Sequence, residues 1–271
     1  MKFSVLISIY YKEKAEYFNI AMQSIWKEQI RKPDEIILVE DGVLTDELYE
    51  AIDIWKEELK DKLNIISLKE NKGLGEALNI GMKHCTYNIV ARMDTDDIAT
   101  PDRFEKQISF LKENPNIDIL GSWVSEFETD ENNIISCRKL PESHNEIIDF
   151  SKKRNPINHP SVMYKKRTVE KAGGYKKMIL FEDYYLWSRM ILVGATFYNI
   201  QEPLVNMRAG YGQLKRRSGL KYAMNEITFQ KELLNIDFIN IYEFFRNISI
   251  RFTARVVPKS IVQLIYKRLR S

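Results

Sequence analysis

Cysteine and histidine are scarce in this chain: two cysteines, Cys85 and Cys137, and three histidines, His84, His144 and His159, in 271 residues. Neither the number nor the spacing makes a disulfide scaffold or a zinc motif, and a reducing cytoplasm is the expected compartment. Charge of one sign is also missing. A formal net charge of +3 gives little support to a chain that binds nucleic acid through its overall field, and no nucleic-acid partner is expected. No long hydrophobic run occurs either. The opening "MKFSVLISIYYKEKAEYF" returns to charged residues too soon for a signal segment or a membrane span. Internal repeats and low-complexity linkers are absent. What remains is a chain with 44% hydrophobic residues, enough to bury the core of one large domain with a small extension.

The apolar residues come in two alternating rhythms. "FSVLISIYY" (Phe3 to Tyr11), "DEIILVEDG" (Asp34 to Gly42), "LNIISLKEN" (Leu63 to Asn71) and "YNIVARMD" (Tyr87 to Asp94) read as short buried strands. Between them, "AEYFNIAMQSIWKEQ", "TDELYEAIDIWKEELKD" and "LGEALNIGMKHC" have helical spacing, the second with Thr45 as a plausible N-cap. Such alternation predicts parallel βαβ units, whose ligands gather at the carboxyl ends of the strands. After Pro101 the pattern changes to mixed helix and strand: "RFEKQISFLKEN" helical, "IDILGSWVSEFE" and "NIISCRKL" antiparallel, "NHPSVMYKK" extended and "FEDYYLWSRMILVG" helical. The expected fold is α/β, with both halves sharing one sheet.

Polar residues follow each strand: Tyr10 to Lys12, Glu40 to Gly42, Asn71 to Gly73, and Asp94, Asp96 and Asp97. Asp94 and Asp96 stand two apart, so an extended segment points both to one side as hard oxygen ligands for Mg²⁺ or Mn²⁺, with a substrate diphosphate completing the shell. A plainer reading has Asp97 or Thr100 capping the helix that follows, with Pro101 in its first turn. "EDG" alone is an ordinary turn. "NKGLGEALNIG" matches neither a P-loop nor GxGxxG, yet Gly73 permits close backbone approach, Lys72 adds charge and a helix N-terminus there attracts anions. Glu182 and Asp183 suit the start of a helix for dipole reasons alone. If that helix opens on the cleft, one of them can take a proton from an acceptor hydroxyl.

In that order, "SVLISIYYKE", "IILVEDG", "NKGLGEALNIG", "ARMDTDDIATPDRFEKQ", "NHPSVMYKK" and "GGYKKMILFEDYYLWSRM" resemble the inverting family 2 glycosyltransferases of the GT-A (nucleotide-diphospho-sugar transferase, Rossmann-like) fold, over roughly residues 1 to 215. The resemblance implies a nucleotide-sugar-binding half (1–100), an acceptor-binding half (101–215) and a helical C-terminal extension (216–271). It further implies that Asp41 holds uracil, that Ile9, Tyr11, Lys72 and Gly73 line the nucleoside pocket, and that Asp94 and Asp96 are a DxD pair contacting ribose and a Mn²⁺ or Mg²⁺ diphosphate. Asp183 becomes the catalytic base, with Glu182, His159, Arg216 and Arg217 near acceptor or diphosphate. "GQLKRR" has Arg217 where processive members carry Trp, so single-sugar transfer is expected. The likeness extends to β-1,3-galactosyltransferases of bacterial O-antigen and capsule synthesis. These take UDP-galactose as donor and a polyprenyl-diphosphate-linked N-acetylhexosamine as acceptor; UDP-glucose or UDP-GlcNAc is the alternative donor.

From Asp237 to Ser271, seven basic residues stand against two acids, with apolar residues at roughly helical spacing among them. Such a segment suits an anionic membrane surface, here the cytoplasmic face of the inner membrane, or packs back on the domain. Two other functions compete. A nucleotidyltransferase wants a glycine-rich basic first loop, and "SIYYKEKAEYF" has no glycine. A non-catalytic lipid- or glycan-binding module has no need of the acid constellation.

Overall fold

The computed structural model describes residues 1–209 and 219–256. Its first half is a parallel sheet of β1 (Phe3–Ile9), β2 (Glu35–Glu40), β3 (Leu63–Ser67) and β4 (Ile89–Met93), ordered β3-β2-β1-β4. The crossovers are α1 (Ala15–Trp26), α2 (Asp46–Leu59) and α3 (Leu74–His84). The chain departs from β1 in one direction to β2 and returns to its other side at β4. That reversal opens a crevice at the carboxyl ends of β1 and β4, where α/β sheets bind ligands.

The second half extends the same sheet. Its elements are β5 (Ile98–Ala99), α4 (Arg103–Glu113), β6 (Ile119–Phe127), β7 (Ile134–Arg138), α5 (His144–Ser151), β8 (Met163–Lys165), α6 (Lys166–Lys171), α7 (Glu182–Leu192) and β9 (Phe197–Arg208). β8 joins antiparallel to β4, β6 follows antiparallel to β8, and β9 lies parallel to β6. β7 forms an antiparallel pair with β6, as expected. One mixed nine-stranded sheet thus runs through both halves.

β1 is apolar at every position but Ser4 and Ser8, because both of its faces are covered. Phe3, Val5, Ile7 and Ile9 point to the layer of α1, α2 and α4, meeting Phe18, Met22, Leu48, Ile52 and Phe104. Leu6 points to the opposite layer with Ile37, Val39, Leu78 of α3 and Trp187 of α7. Two further helices, α8 (Leu220–Asn235) and α9 (Ile241–Val256), close the described chain. A third cluster fixes them to the start of α7: Phe181 stacks on Phe229 with ring centroids 4.7 Å apart, and Tyr184, Leu233, Phe238 and Phe244 surround the pair.

Thr45 caps α2 as anticipated, its hydroxyl accepting the Leu48 N–H at 3.4 Å. The capping expected of Asp97 or Thr100 is not found. α4 begins only at Arg103, the Thr100 hydroxyl donates to Asp102, and Asp97 Oδ1 accepts the backbone N–H of Arg208 on β9 at 2.9 Å. Long-range pairing with β9 has taken that carboxylate. Between Asp237 and Asn247 the tail packs on the domain: Phe244 is buried, whereas Ile241, Tyr242 and Phe245 are exposed. Arg255, Lys259, Lys267, Arg268 and Arg270 of the basic tail belong to the part of the chain for which no side-chain placement is described.

Candidate active site

At the β2 end, Gly42 has φ +90°, and a Cβ there would stand 2.7 Å from the Asn71 nitrogen. This close approach brings the 71–73 turn over Asp41. Asp41 is buried, and its Oδ1 and Oδ2 accept the backbone N–H groups of Lys72 at 2.6 Å and Gly73 at 3.0 Å. The anion attracted to the start of α3 is therefore, in the first instance, the chain's own carboxylate. Each oxygen of Asp41 keeps a further lone pair. Tyr11 is half-exposed at the end of β1, but the Ile9 side chain is fully buried in the core and only its carbonyl, which accepts the Asp41 N–H at 2.8 Å, faces this loop.

Across the crevice, Asp94 leaves β4 with its carboxylate paired to the fully buried guanidinium of Arg92. The Nε and Nη1 of Arg92 have no hydrogen-bond partner among the described residues. Asp96 is partly buried close to other acids. Burial, then the charges of Asp94 and Glu13, push its pKa up to about 7. Asp97, almost wholly buried, is raised well above the carboxylate range, mainly by burial. Arg208 holds this loop from β9, its Nε donating to the Asp96 carbonyl at 3.2 Å and its guanidinium 3.9 Å from the Tyr17 ring centroid.

A cleft of about 980 Å³ runs from Asp94 and Asp96 past His159 to Glu182 and Asp183. Asp183 sits in the first turn of α7, and its Oδ1 accepts the N–H of Tyr184 at 2.7 Å. Its Oδ2 accepts from Nδ2 of Asn155 at 2.6 Å. Both bonds fix the direction of the carboxylate. Glu182 is half-buried, and burial raises its pKa. His159, in a single helical turn before β8, shares a 2.8 Å hydrogen bond between Nε2 and the Tyr175 hydroxyl. Burial, reinforced by the Arg92 charge, lowers its pKa to about 3, so the ring is neutral.

A profile of glycosyl transferase family 2 matches residues 4–170. The chain is also 41% identical over 268 residues to the UDP-Gal:alpha-D-GlcNAc-diphosphoundecaprenol beta-1,3-galactosyltransferase of Escherichia coli, spanning 99% of this chain and 96% of that one. The chain belongs to glycosyl transferase family 2. A second relative, the amylovoran biosynthesis glycosyltransferase AmsE of Erwinia amylovora, is 38% identical over 99% of both chains. The solved structure of Staphylococcus aureus TarS residues 1–349 with UDP-GlcNAc superposes with a TM-score of 0.69 at 17% identity, covering 94% of this chain and 73% of that one. That likeness shows the GT-A fold.

Within this family 2 fold, the structure brings Asp94, Asp96, His159, Glu182 and Asp183 to one cleft, while Asp41, Lys72 and Gly73 group beside it. Arg216 and Arg217 lie outside the described residues. No local sequence pattern marks Arg92, Asn155 or Tyr175 as site residues. Asn155 stands in "KRNPINHP", where Asn-Pro marks a turn. Nothing local says that this turn reaches a carboxylate 28 positions ahead.

Proposed function

We propose that the protein transfers galactose from UDP-galactose to a lipid-diphosphate-linked N-acetylhexosamine, forming a β-1,3 linkage with inversion, in bacterial surface polysaccharide synthesis. The observation that carries this reading is the whole-length identity to the Escherichia coli galactosyltransferase, joined to an oriented carboxylate facing the DxD acids across one cleft. Asp41 offers its remaining lone pairs to the uracil N–H, with Tyr11, the Ile9 backbone, Lys72 and Gly73 around the nucleoside. Asp94 and Asp96 face the sugar diphosphate.

Those two acids fit a divalent cation. They are hard oxygen donors, and Asp96 carries an unfavourable charge that a cation relieves. Among the described residues no three His, Cys, Asp or Glu side chains group to hold a metal alone. Such a site suits Mn²⁺ or Mg²⁺ whose shell is completed by water and diphosphate oxygens. When bound, the ion offsets charge on the departing UDP.

The remaining chemistry belongs to the chain. Asp183 accepts the proton of the acceptor hydroxyl as that oxygen attacks the anomeric carbon from the face opposite UDP. The carbon–oxygen bond to UDP breaks as the new glycosidic bond forms, and one displacement inverts the configuration. Asn155 and the Tyr184 N–H keep the base aligned. Glu182 and His159 flank the acceptor, and Arg216 and Arg217 are assigned to the diphosphate.

We place the protein peripherally on the cytoplasmic face of the inner membrane. No described helix is long and apolar enough to cross a membrane. The exposed Ile241, Tyr242 and Phe245 of α9, with the basic tail beyond them, support surface contact.

The test is a titration of UDP with and without Mn²⁺, followed by a screen of UDP- and GDP-sugars against synthetic GlcNAc- and GalNAc-diphospholipids. Metal-dependent UDP binding that disappears in Asp96→Ala, with UDP-galactose the best donor, is the expected result. Failure of the intact protein to bind UDP overturns the transferase reading, and preference for another donor overturns the galactose assignment.

A further inference from the structure

The cleft is lined by an acidic group and a basic group. Asp94, Asp96 and Asp97 follow one another after β4, while Lys153, Arg154, Arg246 and Arg251 are gathered around the Lys152 and Lys153 carbonyls, with Arg138 and Asp183 among the other lining residues. The acidic group suits a diphosphate that arrives with a divalent cation. The basic group can receive one directly, through charge-assisted hydrogen bonds from guanidinium and ammonium groups.

Covalent connection ties the basic group to the base. Asn155 donates to Asp183, and Arg154 is the preceding residue, its Cα about 3.8 Å from that of Asn155. Lys153 and Arg154 are exposed, and neither side chain is engaged in an ion pair among the described residues. The turn that carries them is fastened from α9. Asn247 donates to the Lys152 carbonyl at 2.8 Å and Arg246 to the same oxygen at 3.3 Å, while Arg251 donates to the Lys153 carbonyl and pairs with Glu226 of α8. Asn247 is itself buried and held through a 3.0 Å bond to Gln230. The C-terminal helices therefore build this wall as well as covering apolar surface.

Resting on the transferase reading above, we propose that the wall formed by Lys153, Arg154, Arg246 and Arg251 binds the diphosphate of the acceptor. An N-acetylhexosamine whose anomeric diphosphate lies on this wall spans one sugar ring back toward Asp183, which presents its free hydroxyl to the base. Asp94 and Asp96 would hold the cation of the donor diphosphate, whereas side chains of this wall hold the acceptor diphosphate directly. Two like-charged groups are thereby kept apart while their sugars meet.

The test uses the full chain and a matched pair of soluble acceptors: GlcNAc-diphosphate on a short alkyl chain, and the same GlcNAc on that alkyl chain without the diphosphate. Calorimetric binding of the wild type should favour the diphosphate compound by tenfold or more, with the preference shrinking as salt is raised. In Arg154→Glu and Lys153→Glu the preference should fall at least tenfold, with UDP binding retained as evidence of folding. Lys83→Glu, on α3, is the control for overall charge. Equal affinity of the wild type for both compounds, an undiminished preference in the two variants, or an equal fall in Lys83→Glu overturns the assignment. Failure of the transferase reading has a different signature: no UDP binding and no transfer to either acceptor, whatever the binding preference.

Discussion

Asp96 and Asp183 show how one side-chain type acquires two chemistries. Asp96 is desolvated near Asp94 and Glu13, effects that outweigh the charge of Arg92 and push its pKa up to about 7. Asp183 receives two short hydrogen bonds and is set as an aligned acceptor. Replacing Asp183 by Asn keeps the shape and removes the proton acceptor. Turnover should fall by about 10²–10⁴ while UDP affinity in a titration stays near wild type; retained turnover moves the role to Glu182. His159 supports a pH prediction. Its folded pKa of about 3 lies below the ordinary 6.5, so between these values the unfolded chain binds a proton that the folded chain refuses. The stability His159 contributes is therefore lost as pH falls from 6.5 toward 3. Urea melts of the wild type and His159→Gln between pH 7 and 4 should show the wild type losing stability on acidification that the variant keeps, and parallel curves would contradict it.

At the scale of elements, two loops and one helix pair decide the site. The β2–α2 loop can approach the 71–73 turn only because Gly42 has no Cβ and tolerates φ +90°. Gly42→Ala should cost about 1–3 kcal/mol from backbone conformation alone, with more from the 2.7 Å contact with Asn71. Its urea midpoint should drop, and UDP affinity with it, because the turn carrying Lys72 and Gly73 must shift. The α8–α9 pair depends on Phe229, fully buried against Phe181 and Tyr184. Phe229→Ala should cost about 3–5 kcal/mol. Thermal melting checks this, and a change confined to a fraction of a degree would show that these helices are not held by that cluster.

Across the whole molecule, the proposed donor site lies at the carboxyl ends of the sheet, and the last helices fasten the proposed acceptor wall. The sheet order β3-β2-β1-β4 creates one crevice, and the strands added beyond β4 carry the rest of the cleft wall. Residues 257–271 contain Lys259, Lys267, Arg268 and Arg270 and no acid. Each basic residue near an anionic surface contributes about 1 kcal/mol. Co-sedimentation with phosphatidylserine vesicles should therefore weaken tenfold or more when the chain ends at Val256, and raised salt should erase most of the difference. Unchanged sedimentation would place the membrane contact elsewhere, with the exposed Ile241, Tyr242 and Phe245 the next surface to vary.

The apolar runs of "FSVLISI", "EIILVE" and "IVARM" by themselves determined the parallel half-sheet, because strands buried on both faces are predominantly apolar. The same local chemistry marked the strand-end acids and the helix that starts at Glu182, since turns, caps and dipoles act over a few residues. Tertiary structure decided the rest. It assigned Asp97 to the Arg208 backbone instead of a helix cap, gave Asp41 to the 71–73 turn, buried Ile9, and brought Asn155 to Asp183. It also turned Arg246 and Arg251 from a presumed membrane face into a cleft wall. These partners are 28 to 111 positions apart in sequence, and only the closure of the sheet and the docking of the last helices bring them within hydrogen-bond distance. Phe244 and Asn247, buried on the same helix, hold that helix against the domain.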